Sequence, residues 1–383
     1  MKILKICLFS AAVLQFYTTA ASPVKNAASP CDPSRCKLPD CFCSGTKIPG
    51  GLEAKSVPQM IMVSFDDAVN EQVYPFETSL FDGELHNPND CPMTATFFVS
   101  HQWTNYQMVQ TLYHNRHEIA DHSISHRLPI PWWKNATLKE WKQEILGMRE
   151  ILRKWGNIPV DEVKGFRAPF LQIGGNNEFK VLYDGKFTYE SSMPTQEFMN
   201  PPMWPYTLDY STTQECVIPP CPTASFPGLW EVPMIDYSDK NGNPCNMIDG
   251  CAAPSSRQET YDLIHKNFLR HYENNRAPFP MFMHAGWFQR HPERLEGVKD
   301  FMRNVSSLGD VYFITISQVI EWIKQPTTLN KIKEFSPWKC DSPRPPVCSS
   351  SEVNVCSYPN HYLFTCTRPC PNNYPWVGNP DGN

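Results

Sequence analysis

The segment 61–67, with the sequence Ile-Met-Val-Ser-Phe-Asp-Asp, constrains the fold of this chain most strongly. Its β-branched and aromatic residues predict a buried strand, whose interior would not tolerate two adjacent carboxylates. Asp66 and Asp67 therefore mark the end of the strand. Because successive side chains of a strand face opposite ways, one carboxylate could hold a cation while the other handles a proton. The alternative is an Asp-Asp turn that caps a following helix.

Between residues 58 and 336, short apolar runs alternate with amphipathic stretches. Strand and helix in alternation predict a parallel sheet, and this length favours an α/β fold, a distorted (β/α) barrel of about seven parallel strands. Catalytic groups of such a fold lie at the C-terminal ends of the strands. Residues 183–251 fit the alternation poorly and are predicted to form long loops over the barrel mouth. The predicted strands are 61–65, 94–99, 118–120, 165–167, 230–234, 279–283 and 311–315, and the predicted helices are 103–115, 138–155 with Thr137 as N-cap, 255–273, 292–308 and 317–324.

The first 21 residues have a basic start, an apolar stretch at 6–16 and small residues near Ala20. This pattern predicts a signal peptide at 1–21, and the apolar stretch is too short to favour a membrane anchor. Removal of Cys7 leaves 14 of the 15 cysteines, an even number that predicts disulfides in an oxidising compartment. The cysteines lack paired Cys-x-x-Cys spacing, so a structural zinc site is the weaker interpretation. We expect disulfide-linked N- and C-terminal extensions, a cap at 22–57 and a wrap at 337–383.

Several expectations about the environment follow from the same sequence. A net charge of −5 gives no indication of a basic surface for nucleic-acid binding. After residue 21, no apolar segment is long enough to span a membrane. Asn135 and Asn304 lie in Asn-x-Ser/Thr acceptor tripeptides for glycosylation. We expect a secreted monomer.

His122 and His126 are four residues apart and directly follow a short predicted strand. On a helical turn both imidazoles would project from one face and could grip one metal ion. Together with Asp67 they would supply three ligands and leave positions open for water and substrate, as in a catalytic zinc site. Two histidines at this spacing are, taken alone, more often surface or core residues.

Two further strand ends carry ionisable residues, Arg167 and His284. A guanidinium beside Asp66 would keep that carboxylate ionised and oriented, as a general base requires. His284, delivered by a late apolar strand, is the proton donor placed to act opposite Asp66. A structural ion pair and a core histidine are the respective alternatives.

Aromatic faces suit sugar rings, and several tryptophans fall in predicted loops or strand ends. Most aromatic residues are core residues, so we expect only a few to bind substrate. The candidates are Trp287, which lies three residues after His284, Trp230 and Phe170.

These motifs, in this order, resemble those of the polysaccharide deacetylase domain, also called the NodB-homology domain or carbohydrate esterase family 4. They are Ser-Phe-Asp-Asp ending at Asp67, His-Ser-x-x-His ending at His126, Arg-x-Pro-Phe ending at Phe170, and the strand-borne His284. The cysteine-rich start and the loop 204–210 are similar to insect chitin deacetylases of the gut type, which lack a separate chitin-binding module. The resemblance covers residues 30–370.

The resemblance implies a role for each residue. It makes Asp66 the catalytic base, Arg167 its tether and His284 the general acid. It makes Asp67, His122 and His126 the ligands of one divalent cation, usually zinc, for which cobalt can substitute. The backbone N–H near Phe170 would hold the oxyanion, where family members often have Tyr.

Two positions depart from the family pattern. Many members orient the acid histidine with an Asp from a fourth motif. Here the corresponding strand, 229–234, offers Glu231 as the candidate. In addition, Asp121 places a carboxylate directly before the first histidine ligand, where small or apolar residues are common.

The activity implied by the resemblance is hydrolysis of N-acetyl groups in chitin or chitooligosaccharides, which releases acetate and leaves glucosamine units. The expected location is the gut lumen or the peritrophic matrix. The alternatives are an esterase that acts on acetylated xylan or peptidoglycan, a chitin-binding matrix protein with a residual metal site, and a secreted globular protein whose histidines are incidental.

Overall fold

A computed structural model describes residues 27–383 of the chain. The predicted signal peptide at 1–21 therefore lies outside the described residues. Among the residues that are described, none of the helices is both long and apolar enough to cross a membrane.

The centre of the molecule is a mostly parallel sheet, as the strand–helix alternation predicted. Eight of its nine strands run parallel, in the spatial order β12-β1-β2-β3-β4-β5-β8 with β13 beside the start of β1, and β7 lies antiparallel on β8. The strands in residues 27–383 are β1 Gln59–Asp67, β2 Thr96–Val99, β3 Glu118–Asp121, β4 Gly165–Phe166, β5 Tyr189–Glu190, β6 Pro194–Thr195, β7 Tyr206–Leu208, β8 Phe226–Glu231, β9 Met234–Ile235, β10 Tyr237–Ser238, β11 Pro244–Cys245, β12 Phe279–Met283, β13 Val311–Phe313, β14 Asn354–Tyr358 and β15 His361–Thr365.

The longer helices lie where amphipathic stretches separate the strands. Thr137 is the N-cap of α4, as predicted, and it forms a capping box with Glu140, in which each side chain bonds the backbone N–H of the other residue. The α-helices of the described residues are α1 Tyr74–Ser79, α2 Tyr106–His114, α3 Pro131–Asn135, α4 Leu138–Trp155, α5 Asn176–Asp184, α6 Arg257–Tyr272, α7 Gly286–Gln289, α8 Pro292–Ser306 and α9 Ile316–Lys324.

Both faces of the sheet are buried, which explains why β1 is a continuous apolar run. Ile61, Val63 and Phe65 belong to the larger apolar cluster, which includes helix residues, whereas Met60 and Met62 belong to a second cluster on the opposite face. Successive side chains thus alternate between two cores. Ser64 and Asp66 share the face of Met60 and Met62, so the first carboxylate points into the interior of the barrel.

The segment 183–251 is more ordered than the predicted long loops. It contributes β5, β7 and β8 to the central sheet, and the predicted strand 230–234 is split between β8 and β9. The prediction failed here because these strands are only two to six residues long, too short to show a period in sequence.

All 14 cysteines after Cys7 form disulfides, which confirms the pairing expectation. The bonds are Cys31–Cys43, Cys36–Cys41, Cys91–Cys340, Cys216–Cys221, Cys245–Cys251, Cys348–Cys366 and Cys356–Cys370. Cys91–Cys340 joins the C-terminal wrap to the segment before β2. The wrap also contacts the end of α4, where Thr365 Oγ1 donates to the Trp155 carbonyl at 2.6 Å and Trp155 Nε1 donates to the Pro380 carbonyl at 3.1 Å.

The disulfides differ greatly in the length of chain that they close, and this predicts unequal contributions to stability. Loss of Cys91–Cys340, with a separation of 249 residues, should lower the free energy of unfolding more than loss of Cys36–Cys41, with a separation of 5. Loop-closure entropy gives about 5 to 6 kcal/mol for the long loop and about 2 kcal/mol for the short one. Denaturant unfolding of the two double Cys→Ala variants measures both values, and equal losses would contradict the prediction.

Candidate active site

The strand register brings the predicted site residues to one edge of the sheet. Phe65 pairs with Met283, so His284 lies level with Asp66 at the end of the neighbouring strand. On the other side, Asp67 pairs with Val99 and Val99 with Asp121, which places His122 one step beyond that edge. Asp121 in turn pairs with Phe166, so Arg167 is level with His122. Side chains that are more than 200 positions apart in sequence therefore converge.

Arg167 and Asp66 form an ion pair inside the barrel. Arg167 Nη1 donates to Asp66 Oδ1 at 2.7 Å and to Ser64 Oγ at 2.9 Å, and the arginine is fully buried. Its guanidinium lies between the rings of Phe98 and Phe282, 4.0 and 4.3 Å from their centroids. Burial is the largest single effect and would raise the pKa of Asp66, but the charge and hydrogen bond of Arg167, together with His122 and His284, outweigh it and hold the pKa below its ordinary value. Asp66 is therefore ionised at neutral pH.

Asp67, His122 and His126 form a group whose ligand atoms lie within 4.8 Å of one another. Asp67 Oδ1 is 3.7 Å from His122 Nε2 and 3.4 Å from His126 Nε2. Asp67 has a φ of +86°, a conformation that non-glycine residues seldom adopt. Strict strand alternation would place Asp67 on the face of Phe65, and the departure from extended backbone instead brings its carboxylate beside the two imidazoles.

His122 is prepared to bind a cation through Nε2. Its Nδ1 lies 2.8 Å from the Arg167 carbonyl, which accepts a hydrogen bond from Nδ1–H and leaves the Nε2 lone pair free. Burial lowers the pKa of His122 to about 4 despite the nearby carboxylates, so the ring is neutral at physiological pH.

The two histidines do not lie on a helical turn, so that part of the prediction was wrong. They occupy an irregular loop after β3, in which Ser123 has a φ of +69° and His126 a φ of +40°. Glu144 of α4 holds this loop by accepting the N–H groups of Ile124 and Ser125 at 3.1 and 2.9 Å. Asp121, the departure noted in the sequence, accepts the Ser123 N–H at 2.8 Å and so helps to shape the same loop.

His284 faces Asp67 from the opposite side, with its Nε2 4.0 Å from Asp67 Oδ2. Its Nδ1 lies 2.7 Å from Asp249 Oδ2, so Asp249 orients the ring. Burial disfavours the imidazolium, but the hydrogen bond and charge of Asp249, together with Asp66 and Asp67, raise the pKa of His284 to about 9. His284 is therefore protonated at neutral pH.

The carboxylate that contacts His284 is Asp249 and not Glu231, the candidate from the sequence. Glu231 is fully buried, and the neighbouring carboxylates of Glu190 and Glu178 add to burial in raising its pKa well above the ordinary value. Sequence reasoning missed Asp249 because it follows no strand. The available signal was the short spacing between Cys245 and Cys251, whose disulfide closes the loop that carries Asp249.

Phe170 lies at the rim beside the metal-ligand group. Its φ is +58°, its side chain is 37% exposed, and its ring centroid is 4.4 Å from that of His126. None of the hydrogen bonds among the described residues uses the Phe170 N–H, although the N–H groups of Leu171 and Gln172 are both bonded. This N–H is a free donor next to His126.

The two tryptophan candidates for substrate binding, Trp287 and Trp230, differ in solvent exposure. Trp287 is half-buried, and its backbone N–H donates to the His284 carbonyl at 3.0 Å, so the two residues share one turn after β12. Trp230 is 1% exposed and belongs to the second apolar cluster with Tyr189. The choice of Trp230 as a substrate contact was wrong, because the inward face of β8 is part of the core.

Comparison with known proteins agrees with this geometry. The family model for polysaccharide deacetylases matches residues 54–180. Chitin deacetylase 8 of Bombyx mori is 41% identical over 362 residues, which cover 93% of this chain and 94% of that protein. The chain belongs to the polysaccharide deacetylase family. Chitin deacetylase 1 of Bombyx mori is also 41% identical, over 94% of this chain and 69% of that protein.

Solved structures support the fold of this polysaccharide deacetylase family member. A putative polysaccharide deacetylase from Mycobacterium smegmatis superposes with a TM-score of 0.50 at 16% identity and covers 75% of this chain and 96% of that one. At this identity the likeness concerns the fold alone.

The contact between Asp249 and His284 predicts a measurable pKa change. Asp249→Asn keeps a hydrogen-bond acceptor but removes the negative charge, so the pKa of His284 should fall from about 9 towards the ordinary value of 6.5, by about one pH unit or more. NMR titration of the imidazole in the metal-free protein measures this value. The exposed Asp184→Asn is the matched control, and an unchanged pKa in Asp249→Asn would contradict the assignment.

Proposed function

We propose that the protein is a metal-dependent chitin deacetylase, which hydrolyses the N-acetyl groups of N-acetylglucosamine units in chitin or chitooligosaccharides. The observation that carries the proposal is the convergence of an ionised Asp66, a three-residue ligand group and a protonated His284 at one end of the barrel. The identity to two Bombyx mori chitin deacetylases supports the choice of chitin as substrate.

The ligand group fits one divalent cation, and zinc is our proposal. Two imidazole nitrogens and one carboxylate oxygen are a donor set typical of catalytic zinc, and the neutral His122 carries its free lone pair on Nε2. A bound cation of this kind would lower the pKa of a ligated water and polarise the amide carbonyl.

Asp66 is proposed as the general base. Arg167 holds only its Oδ1, and no hydrogen bond among the described residues reaches Oδ2, so this oxygen is available to accept a proton from the attacking water. The lowered pKa keeps Asp66 ionised, while the hydrogen bond from Arg167 fixes its orientation.

His284 is proposed as the general acid for the leaving nitrogen. The glucosamine nitrogen must gain a proton as the amide bond breaks, and the imidazolium carries one on Nε2 because Asp249 accepts the other from Nδ1. Asp66 takes a proton from water and His284 gives one to nitrogen, so the two residues together balance formation of acetate and the free amine.

The rim around these groups would hold the acetyl group and the sugar. The free Phe170 N–H is placed to donate to the carbonyl oxygen as that oxygen gains negative charge. The exposed side of the Phe170 ring, beside His126, and the half-buried Trp287, beside His284, would contact the sugar from opposite sides of the metal-ligand group.

We further propose that the protein is secreted. Seven disulfides are typical of an oxidising compartment, and the two acceptor residues, Asn135 and Asn304, are both exposed. In this proposal, residues 58–336 form the catalytic domain, with 22–57 as its cap and 337–383 as its wrap.

Two substitutions should separate the base from the metal ligands. Asp66→Asn should retain one metal ion per chain and lower the rate of acetate release by about 10²- to 10⁴-fold, because proton acceptance is lost. His126→Ala should lose both the metal and the activity. Metal analysis and acetate release from chitin oligomers measure these outcomes.

Asp184→Asn, an exposed change on α5, should leave metal content and activity unchanged. Full activity in Asp66→Asn would refute its role as base. Acetate release from acetylated xylan but not from chitin oligomers would replace the proposed substrate.

A further inference from the structure

Three aromatic rings form a stack at the surface, which we call the Trp103 platform: Trp103, His361 and Tyr374. The ring centroids of Trp103 and His361 are 6.2 Å apart with an interplanar angle of 24°, and those of His361 and Tyr374 are 4.5 Å apart at 25°. Trp103 is the outermost ring and is 59% exposed. A large flat apolar face is thus held in a fixed orientation at the surface.

Buried hydrogen bonds lie beneath the Trp103 platform. Beneath it, the buried His101 lies 4.7 Å from Tyr374 at 30°, and its two ring nitrogens are bonded to Tyr106 Oη at 2.6 Å and to the Pro375 carbonyl at 2.8 Å. His101 belongs to the barrel, whereas Tyr374 and Pro375 belong to the C-terminal wrap. The wrap and the barrel therefore build the platform together.

The loop that carries Trp103 is joined to the metal-ligand strand. Residues 100–105 follow β2 at the C-terminal edge of the sheet, where the Ser100 N–H donates to the Asp67 carbonyl at 3.3 Å. At the other end of the loop, Asn105 N–H donates to the Val69 carbonyl at 2.8 Å. Trp103 thus sits on the same rim as Asp67, in a loop whose two ends are held by residues 67–69.

The conformation of Trp103 is not explained by packing. Its φ is +70°, and a bulky residue in this region costs about 1 to 3 kcal/mol unless its surroundings compensate. Burial offsets little of that cost, because most of the side chain faces solvent. Strained backbone conformations of this kind cluster at ligand-binding sites, where the surrounding structure holds them in place.

We propose that the Trp103 platform is a distal saccharide-binding subsite, which stacks against a sugar ring of the same chitin chain whose N-acetyl group lies at the metal-ligand group. A pyranose ring presents a face of C–H groups that packs on an indole, and such sites combine aromatic faces with a few polar groups. Gln102 Nε2, 3.4 Å from His361 Nε2, supplies a polar group at the edge of the stack. This inference rests on the proposed function.

The proposed subsite would discriminate by chain length, since a longer oligomer has more sugar rings with which to occupy it while an N-acetyl group lies at the metal-ligand group. Trp103→Ala should lower the ratio of kcat/KM for the hexamer of N-acetylglucosamine to that for the dimer by about three- to tenfold, the range of one aromatic contact. The change should lie in KM for the hexamer. Trp103→Tyr should recover most of the ratio, and metal content should be unaffected.

Tyr362→Ala is the matched control. Tyr362 is 52% exposed and lies on the same strand as His361, on the opposite face of β15, so its loss should leave the ratio unchanged. An unchanged ratio in Trp103→Ala, or equal losses for dimer and hexamer, would overturn the proposal. An unchanged ratio together with a loss of self-association in Trp103→Ala would assign the surface to a second copy of the chain.

A binding measurement keeps this inference separate from the proposed function. Calorimetric titration of the Asp66→Asn protein with the hexamer, with and without Trp103→Ala, should show about three- to tenfold weaker binding in the double variant. If the native protein releases no acetate but Trp103→Ala still weakens hexamer binding, the deacetylase proposal fails and the saccharide subsite stands. If acetate is released but hexamer binding is insensitive to Trp103, the subsite fails alone.

Discussion

The ion pair between Arg167 and Asp66 is the interaction on which the rest of the site depends. Both charges are removed from water inside the barrel, which costs several kcal/mol for each ion unless its partners compensate. Compensation comes from Ser64 on β1, from the carbonyl of Ser191 2.7 Å from Arg167 Nε, and from two aromatic faces. The Arg167 carbonyl also bonds His122, so one residue positions Asp66 through its side chain and His122 through its backbone.

The sequence allowed the central strands and most of the reactive groups to be predicted, for a physical reason. In a parallel sheet the strand ends meet at one edge, so a charged residue directly after an apolar run has a defined place even when its neighbours in sequence are remote. Asp66, Asp67, Arg167 and His284 all satisfy that condition. The N-cap role of Thr137 could also be predicted, because a helix cap depends only on residues within one turn, here Thr137 and Glu140.

What the sequence did not allow depends on loops and on which face of a short strand is buried. Asp249 meets His284 through a tertiary contact between a loop and a strand end, which no periodicity encodes. The loop of His122 and His126 relies on left-handed backbone at Ser123, a residue type that carries no special preference for it. Trp230 was misplaced because β8 ends within an aromatic segment whose inward face could not be identified. The partners of Trp103 lie more than 250 residues away, in the wrap.

Because of the disulfide between Cys245 and Cys251, the contact of Asp249 with His284 is fixed in a different way from the positions of the other site residues. Asp66, Asp67 and His122 take their places from the register of the strands, and His126 takes its place from the loop after β3. The carboxylate that orients the imidazole sits instead in a small ring of chain closed by a covalent bond. A molecule in which this one ring stayed open would therefore keep its strand ends in register while Asp249 was poorly aimed at His284, so the orientation of that imidazole depends on an oxidation step that the sheet itself does not need.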